Sequence, residues 1–379
     1  MKDVLLIGAG KIGSMIADLL AGSGDYRVTV ADHSAAALKN LDTTAPVETA
    51  VLDVSDKAAL EGLMRGKFAV LSAAPFHVTT KIADAAKVTG AHYLDLTEDV
   101  ASTRHVKKLA EGATTAFIPQ CGLAPGFITI VAADLMKHFD SLEDVRMRVG
   151  ALPKFPSNAL GYNLTWSTDG VINEYCEPCE AIIEGRLTET PPLEEIEELA
   201  IDGVQYEAFN TSGGLGTLPH TLLGKVRNLN YRTMRYPGHA AIMKLLLNDL
   251  RMRDKRDVLK AVMEHALPMT QQDVVIVFVT VSGIKDGKLM QMTYANKVYS
   301  QLVQGRTRTA PSASARTKPT PTITTTIKAA HLTPLDTVAV LSTDKLFVGS
   351  LVIMDRSFMF NLARTYLRIV ASDRLAGLP

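Results

Sequence analysis

The chain opens on an apolar run, Val4-Leu5-Leu6-Ile7, in which no polar position alternates. Such a run predicts a strand covered on both faces. Gly8-Ala9-Gly10-Lys11-Ile12-Gly13 follows at once, and then apolar positions at helical spacing from Met15 to Leu20. A second strand is predicted over 26–31 and ends on Asp32. Residues 47–54 and 68–72 read as two further strands, the latter apolar throughout. The helix after them should stop at Gly90, a natural helix terminator. His92 then opens a strand whose far end gathers Asp95, Glu98 and Asp99. A strand-like run over 116–121 turns sharply at Gly122-Leu123-Ala124-Pro125-Gly126 and leads into a helix from Phe127 to His138.

From about residue 143 the pattern changes. Residues 145–150 alternate polar and apolar, as a half-exposed strand does. Leu164 to Ser167 reads as a short strand holding the single Trp, and Pro191 to Glu198 as an acidic surface segment. A strand is predicted over 226–235, an amphipathic helix over 240–250, and a strand over 274–281 with a hairpin partner over 289–298. These elements predict an α/β chain. Residues 1–129 form a doubly wound parallel sheet of the Rossmann type, and 130–304 an α+β domain with an open mixed sheet. Residues 305–379 are an atypical C-terminal segment. Its stretch 308–331, dense in Thr, Pro and Ser, reads as a linker before an apolar tail.

Composition narrows the partners. Of 379 residues, 40 are Lys or Arg and 40 Asp or Glu, with no long basic stripe, so no nucleic-acid partner is expected. No uncharged run reaches the roughly 18–20 residues of a membrane span. The first strand starts at once, leaving no room for a signal peptide, and the three cysteines make no disulfide framework, so a cytoplasmic protein is expected. Cys176-Glu-Pro-Cys179 lacks a second ligand pair, and no metal is expected. A homo-oligomer is expected.

The first 32 residues carry the clearest chemistry. Strand, G-x-G-x-x-G, helix, strand and acid is the order of a dinucleotide-binding unit. Gly8 allows the tight turn, Gly10 lets backbone approach a pyrophosphate, and Gly13 lets the helix pack close. Lys11 and Ile12 open the helix whose free N–H groups receive the anion. Asp32 is placed to accept ribose hydroxyls and to repel a 2′-phosphate. His33, Ser34 and Ala35 follow with no Arg, so NAD is expected. Asp53 either touches the adenine or caps the next helix. Ala73, Ala74 and Pro75 form a small-residue loop expected against the cofactor.

Several further stretches resemble the saccharopine dehydrogenase family over roughly residues 1–306. They are Gly8-Ala9-Gly10-Lys11-Ile12-Gly13, Ser72-Ala73-Ala74-Pro75-Phe76, Cys121-Gly122-Leu123-Ala124-Pro125-Gly126, Thr165-Trp166-Ser167 with Asn173-Glu174-Tyr175, Asn210-Thr211-Ser212-Gly213-Gly214-Leu215 and Arg235-Tyr236-Pro237-Gly238-His239. Within the family the chain most resembles the lysine 6-dehydrogenases, since Ala124 stands where the glutamate-forming branch carries Asp. The resemblance implies an amino-acid substrate and NAD-dependent oxidative deamination of the ε-amino group of L-lysine, with release of ammonia. The alternatives are a saccharopine-type or polyamine-type dehydrogenase, or an NAD-binding regulator without turnover.

On that reading Arg235 anchors the substrate carboxylate, with Arg227 and Arg232 as the other candidates. Glu98 and Asp95 recognise or deprotonate the amine, or else cap a helix. Cys121 lines the cleft or packs. Trp166 and Tyr175 wall the methylene chain or belong to the core, His239 binds substrate or caps its helix, and Phe76 joins the substrate group. After Thr307 the resemblance stops abruptly, as a frameshift in the gene would cause; resequencing the locus tests that.

Overall fold

The computed structural model describes residues 1–165, 167–270, 272–303 and 306–308, and the strands at 337–340 and 347–350. The chain divides into two compact units that part after Gly122.

The first unit alternates strand and helix: β1 (Lys2–Ile7), α1 (Lys11–Gly22), β2 (Tyr26–Asp32), α2 (Ala35–Lys39), β3 (Glu48–Val51), α3 (Lys57–Met64), β4 (Ala69–Ser72), α4 (Phe76–Thr89), β5 (His92–Asp95), α5 (Val100–Ala110) and β6 (Phe117–Ile118). The strands pair in parallel in the order β3-β2-β1-β4-β5-β6. Order runs outward both ways from β1 and β4, and the carboxyl ends of those strands are where such a sheet opens to a ligand. The unalternating run of β1 has its reason here. Val4 and Leu6 face one core, with α1, while Leu5 and Ile7 face the other, with α3 and α4. Burying each such side chain is worth about 1.5–3 kcal/mol, so both faces fix the strand in place. Gly90 ends α4 at φ 71°, as the sequence predicts.

The second unit starts with α6 (Phe127–Met136) and β7 (Ser141–Pro153). A boundary at residue 129 would cut α6. Instead Ile128, Val131 and Ala132 pack whole onto the core of the second sheet. The unit continues through α7 (Thr168–Glu174), β8 (Cys179–Ile183), β9 (Arg186–Thr190), β10 (Glu197–Ile201), β11 (Val204–Asn210), α8 (Leu218–Leu222), β12 (Asn228–Arg235), α9 (His239–Lys244), α10 (Arg256–Ala266), β13 (Asp273–Lys285) and β14 (Lys288–Tyr299). The sheet runs β10-β11-β12-β7-β13-β14, with β8 and β9 attached beside β12. It is mixed, because β12 is parallel to β7 and antiparallel to β11. Two short hairpins complete the described chain: β15 (Gln301–Val303) with β16 (Arg306–Arg308), and β17 (Thr337–Val340) with β18 (Phe347–Ser350).

Three local expectations are corrected. The alternating stretch 145–150 forms a strand with Val145, Met147 and Val149 in the core and Arg146 exposed, but its outer face is not open throughout, because Arg148 is buried against Glu197. Leu164, Thr165 and Ser167 lie in no named strand; Leu164 makes a single bridge to Met269, and Ser167 caps α7 through Gly170 N. The 191–198 segment is not all surface, since Leu193 is fully buried and Glu197 opens β10. The helix predicted over 240–250 forms as α9 running into a π-turn over Leu245–Asp249. The predicted linker, 308–331, lies outside the described residues from 309 on.

Candidate functional site

In the first unit the glycine loop is shaped by what its glycines approach. Gly8 has φ +110°, and a Cβ there would lie 2.6 Å from the Ala73 carbonyl oxygen. A Cβ on Gly13 would lie 1.8 Å from the Gly8 carbonyl oxygen, so only glycine lets α1 come this close. Gly10 faces open space, with nothing within 4 Å of a Cβ. No side chain caps the first turn of α1, which starts at Lys11 and Ile12, and no acid lies in it. Its N–H groups and the positive end of the helix dipole are therefore suited to an anion. Ala73 N donates to Ile7 O at 2.7 Å, which lays the Ala73-Ala74-Pro75 loop along the end of β1.

Asp32 is held at the end of β2. Ala9 N donates to its Oδ2 at 2.7 Å and Ser34 N to its Oδ1 at 2.8 Å. One carboxylate thus ties the glycine loop to the strand end and keeps lone pairs for hydroxyl donors. A cradle that excludes Cβ atoms, an uncapped helix and a fixed acid together fit a dinucleotide. Asp53 is exposed and accepts from Ser55 N at 2.8 Å, while the cap of α3 is Asp56, which accepts from Ala59 N at 3.0 Å. Phe76 opens α4 partly buried, its ring edge-on to His77 at 5.8 Å.

The acids at the end of β5 take three different jobs. Asp95 is fully buried and accepts from Tyr93 Oη at 2.9 Å, Gln120 N at 2.9 Å and Thr97 N at 3.1 Å. Burial pushes its carboxyl up to about 6 against those three bonds. Such a carboxylate is fully engaged in joining β5 to the loop after β6. Asp99 caps α5 by accepting from Ser102 N at 2.7 Å. Glu98 caps no helix among the described residues; burial pushes its carboxyl up to about 7 against a hydrogen bond from its own backbone N–H, with Asp99 and Asp95 adding repulsion. A carboxylate near neutrality is matched to proton transfer. Cys121 is placed for packing. Its thiol donates to Ile118 O at 3.2 Å, it sits in the first core, and burial pushes its pKa well up, away from the reactive thiolate.

In the second unit Arg235 ends β12 with 2% exposure. Its guanidinium lies 5.3 Å from the Tyr162 ring centre and 5.9 Å from that of Tyr175. Its Nη1 donates to Met234 O at 2.9 Å, and its Nε has no hydrogen-bond partner among the described residues. The other two candidate arginines pair elsewhere: Arg227 with Glu184, and Arg232 with Glu195 and Glu197. His239 is fully enclosed. Its Nε2 lies 3.0 Å from Tyr175 Oη and its Nδ1 3.0 Å from Leu160 O. The carbonyl can only accept, so Nδ1 carries the proton and Nε2 accepts from Tyr175. Burial, with Arg235 adding to it, lowers His239 to about 3, so the imidazole is neutral. Tyr175 and His239 thus join Arg235 in one cluster. Trp166 lies outside the described residues.

Sequence reasoning did not single out Glu207 or Tyr162. Glu207 stands opposite Arg235 across β11 and β12. Its two oxygens accept from Gly238 N at 2.9 Å and Ala240 N at 2.6 Å, so it, and not His239, caps α9. Nothing local marks that role, since the partners lie more than 30 residues apart. Among the described residues no group of His, Cys, Asp and Glu gathers as metal ligands, and no helix is long and apolar enough to cross a membrane.

Comparison with known proteins accounts for both units. Residues 4–117 match the saccharopine dehydrogenase NADP binding domain and residues 122–345 the saccharopine dehydrogenase C-terminal domain. The second match runs past Thr307, where the sequence reading has the resemblance end. Saccharopine dehydrogenase [NADP(+), L-glutamate-forming] of Saccharomyces cerevisiae is 26% identical over 177 residues, 45% of this chain and 40% of that protein. The mitochondrial alpha-aminoadipic semialdehyde synthase of Bos taurus is 22% identical over 309 residues, 74% of this chain and 32% of that protein. The chain thus spans well under two thirds of these relatives. Among solved structures, apo saccharopine dehydrogenase (L-Glu forming) from Saccharomyces cerevisiae superposes with a TM-score of 0.64 at 18% identity, covering 79% of this chain and 86% of that one. A homospermidine synthase from Legionella pneumophila in complex with NAD superposes at 0.57 and 12% identity, covering 82% and 81%. These two likenesses show the fold, and the domain match over more than half of the sequence shows that the chain belongs to the saccharopine dehydrogenase family.

Proposed function

We propose that this chain is an oxidoreductase of amino-acid amines, and that it oxidises the ε-amino group of L-lysine with NAD. With water as co-reactant, the products are NADH, ammonia and a semialdehyde, which cyclises with loss of water to piperideine-6-carboxylate. The observation that carries the reading is Arg235: a guanidinium buried among aromatic rings with an unpartnered Nε. A buried donor left unmade costs about 1–3 kcal/mol, and a substrate carboxylate would satisfy it with the forked geometry that arginine favours.

Gly8, Gly10, Gly13 and Asp32 would hold the dinucleotide, whose nicotinamide supplies the hydride acceptor. The acid at the end of β2 supports NAD, although the related yeast enzyme is named for NADP(+). Glu98 takes a proton from the substrate ammonium, because only the free amine has a lone pair to assist hydride loss. Tyr162 and Tyr175 offer apolar faces to the methylene chain. Neutral His239 orients the Tyr175 hydroxyl and adds no charge to compete with Arg235 for the carboxylate.

The relatives' names favour one other reading, oxidation of the secondary amine of saccharopine with release of glutamate. Purified protein mixed with L-lysine or saccharopine, each with NAD and with NADP, separates the two. Absorbance growth with lysine and NAD plus free ammonia supports the first reading. Turnover of saccharopine with glutamate release moves the chain to the second.

A further inference from the structure

The two faces of the second sheet carry different chemistry. Alternate residues of a strand point to opposite faces, so Arg235 shares its face of β12 with Leu229, Tyr231 and Thr233. Asn230 and Arg232 point to the other. On β7, Arg146 and Arg148 stand in register with Asn230 and Arg232, on that same second face. There they line a cavity of about 330 Å³ together with Glu195 and Glu197. This cavity is separate from the Arg235 cluster.

Its lining holds three guanidinium groups against two carboxylates. Arg148, 3% exposed, donates through Nε and Nη2 to Glu197 and through Nη1 to Asn230 Oδ1 at 2.8 Å. Arg232 donates to the same Glu197 at 2.6 Å and to Glu195 at 2.8 Å, and its buried Nε has no partner among the described residues. Arg146 is half-exposed and pairs with Asp144 at 3.0 Å. Burial lowers the pKa of Arg148, Glu197 opposes that, and Arg232 and Arg146 push it further down. Arg148 is thus repelled by both of the other guanidinium groups.

The segment that supplies the carboxylates is strained. Leu193 and Glu195 both adopt positive φ, 62° and 54°, a region that residues with a Cβ rarely occupy. Glu195 is also the outer partner, with its side chain 45% exposed. A ligand oxyanion can take the place of that side chain on Arg232 and reach its unpartnered Nε.

We propose that this cavity is a second ligand site, taking a small oxyanion of the carboxylate or phosphate class through Arg146 and Arg232 with Glu195 displaced. The test does not depend on turnover. Sodium phosphate and sodium succinate are titrated separately into the full chain at constant ionic strength, with sodium chloride as control. Thermal unfolding and calorimetry read binding. At several times Kd the midpoint should rise by about 2–4 °C with at least one of the two and not with chloride. The responding anion names the source, tetrahedral or carboxylate. Arg146→Gln, a half-exposed position that can be changed without unfolding the sheet, should weaken the shift, and Arg232→Met should abolish it. Glu195→Gln should bind about threefold tighter or better, because it removes the competing charge. Absence of any shift beyond chloride would overturn the proposal, as would equal shifts in wild type, Arg146→Gln and Glu195→Gln.

Discussion

The glycine loop and the Arg235 cluster, the two proposed binding sites for cofactor and substrate, are built by opposite means. Apart from Ala73, every part of the first lies within 32 residues, and its shape follows from close approach: Gly13 against the Gly8 carbonyl, Gly8 against that of Ala73, and the Asp32 carboxylate on Ala9 N. The second draws Leu160, Tyr162, Tyr175, Glu207, Arg235 and His239 from across 80 residues and four stretches of chain. The first is a steric device, intolerant of one carbon atom. The second is an electrostatic one, in which a buried cation is kept among neutral rings. A steric device should fail all at once, an electrostatic one by degrees.

The sharpest way to break that contrast is Gly13→Ala. Its added Cβ would sit 1.8 Å from a carbonyl oxygen, which cannot swing aside as a side-chain end would. Helix α1 must shift, and dinucleotide binding should fall by more than about a hundredfold, roughly 2.7 kcal/mol or more. Titration of NADH fluorescence measures it, with circular dichroism to show that the fold persists. Wild-type affinity in Gly13→Ala would mean that close helix approach is not what shapes the loop.

Next in size is Glu98→Gln. Removing a general base costs about 10²–10⁴ in rate. Because the Glu98 carboxyl lies at about 7, wild-type kcat/KM should rise as pH passes 7, and the variant should lose that limb. Stability has the opposite sign. A folded-state value raised from the ordinary 4.5 means the folded chain holds the proton longer, so stability falls as pH climbs through 4.5–7. Glu98→Gln should flatten that fall, leaving the part that Asp95 contributes below about 6. A pH-rate profile unchanged by the substitution would assign the proton transfer elsewhere.

These two cases also mark what can be read without coordinates. The glycine loop, β1 and the stop at Gly90 are legible because local sterics and two-sided burial decide them. Among the acids after β5, the sequence shows a crowd but not its division of labour. That division depends on Tyr93, Thr97, Gln120 and Ser102, which the fold brings within hydrogen-bond reach. Arg148 is missed for the same reason: alternation along β7 is correct, but the covering of its second face by Glu197 comes from a strand that starts 49 residues later. Trp166 and residues 309–336 lie outside what the structure describes.

Arg235→Met tests the electrostatic half directly. It keeps much of the side-chain volume and removes the charge, so packing against Tyr162 and Tyr175 survives. The KM for the amino acid should rise about 30- to 1,000-fold, the roughly 2–4 kcal/mol of a desolvated charge-assisted anchor. NADH affinity should stay within about twofold, and Arg235→Lys should recover only part of the loss, because a point charge lacks the fork. Equal loss of NADH binding would mean that the substitution damages the fold and not the anchor.

Glu207→Gln should give the smallest effect and the finest test of loss by degrees. The carboxylate accepts from Gly238 N and Ala240 N with one oxygen each, which pins the turn between Arg235 and His239. An amide can satisfy one of those donors, but its NH₂ then faces the other. Losing a cap costs about 0.5–2 kcal/mol. Part of that should appear as a fall of a few degrees in Tm. The rest should appear as a KM for the amino acid raised roughly fivefold at nearly constant kcat, because the anchor is displaced while Glu98 is untouched. A purely structural cap would lower Tm and leave the KM of the folded fraction unchanged, which would detach Glu207 from substrate binding altogether.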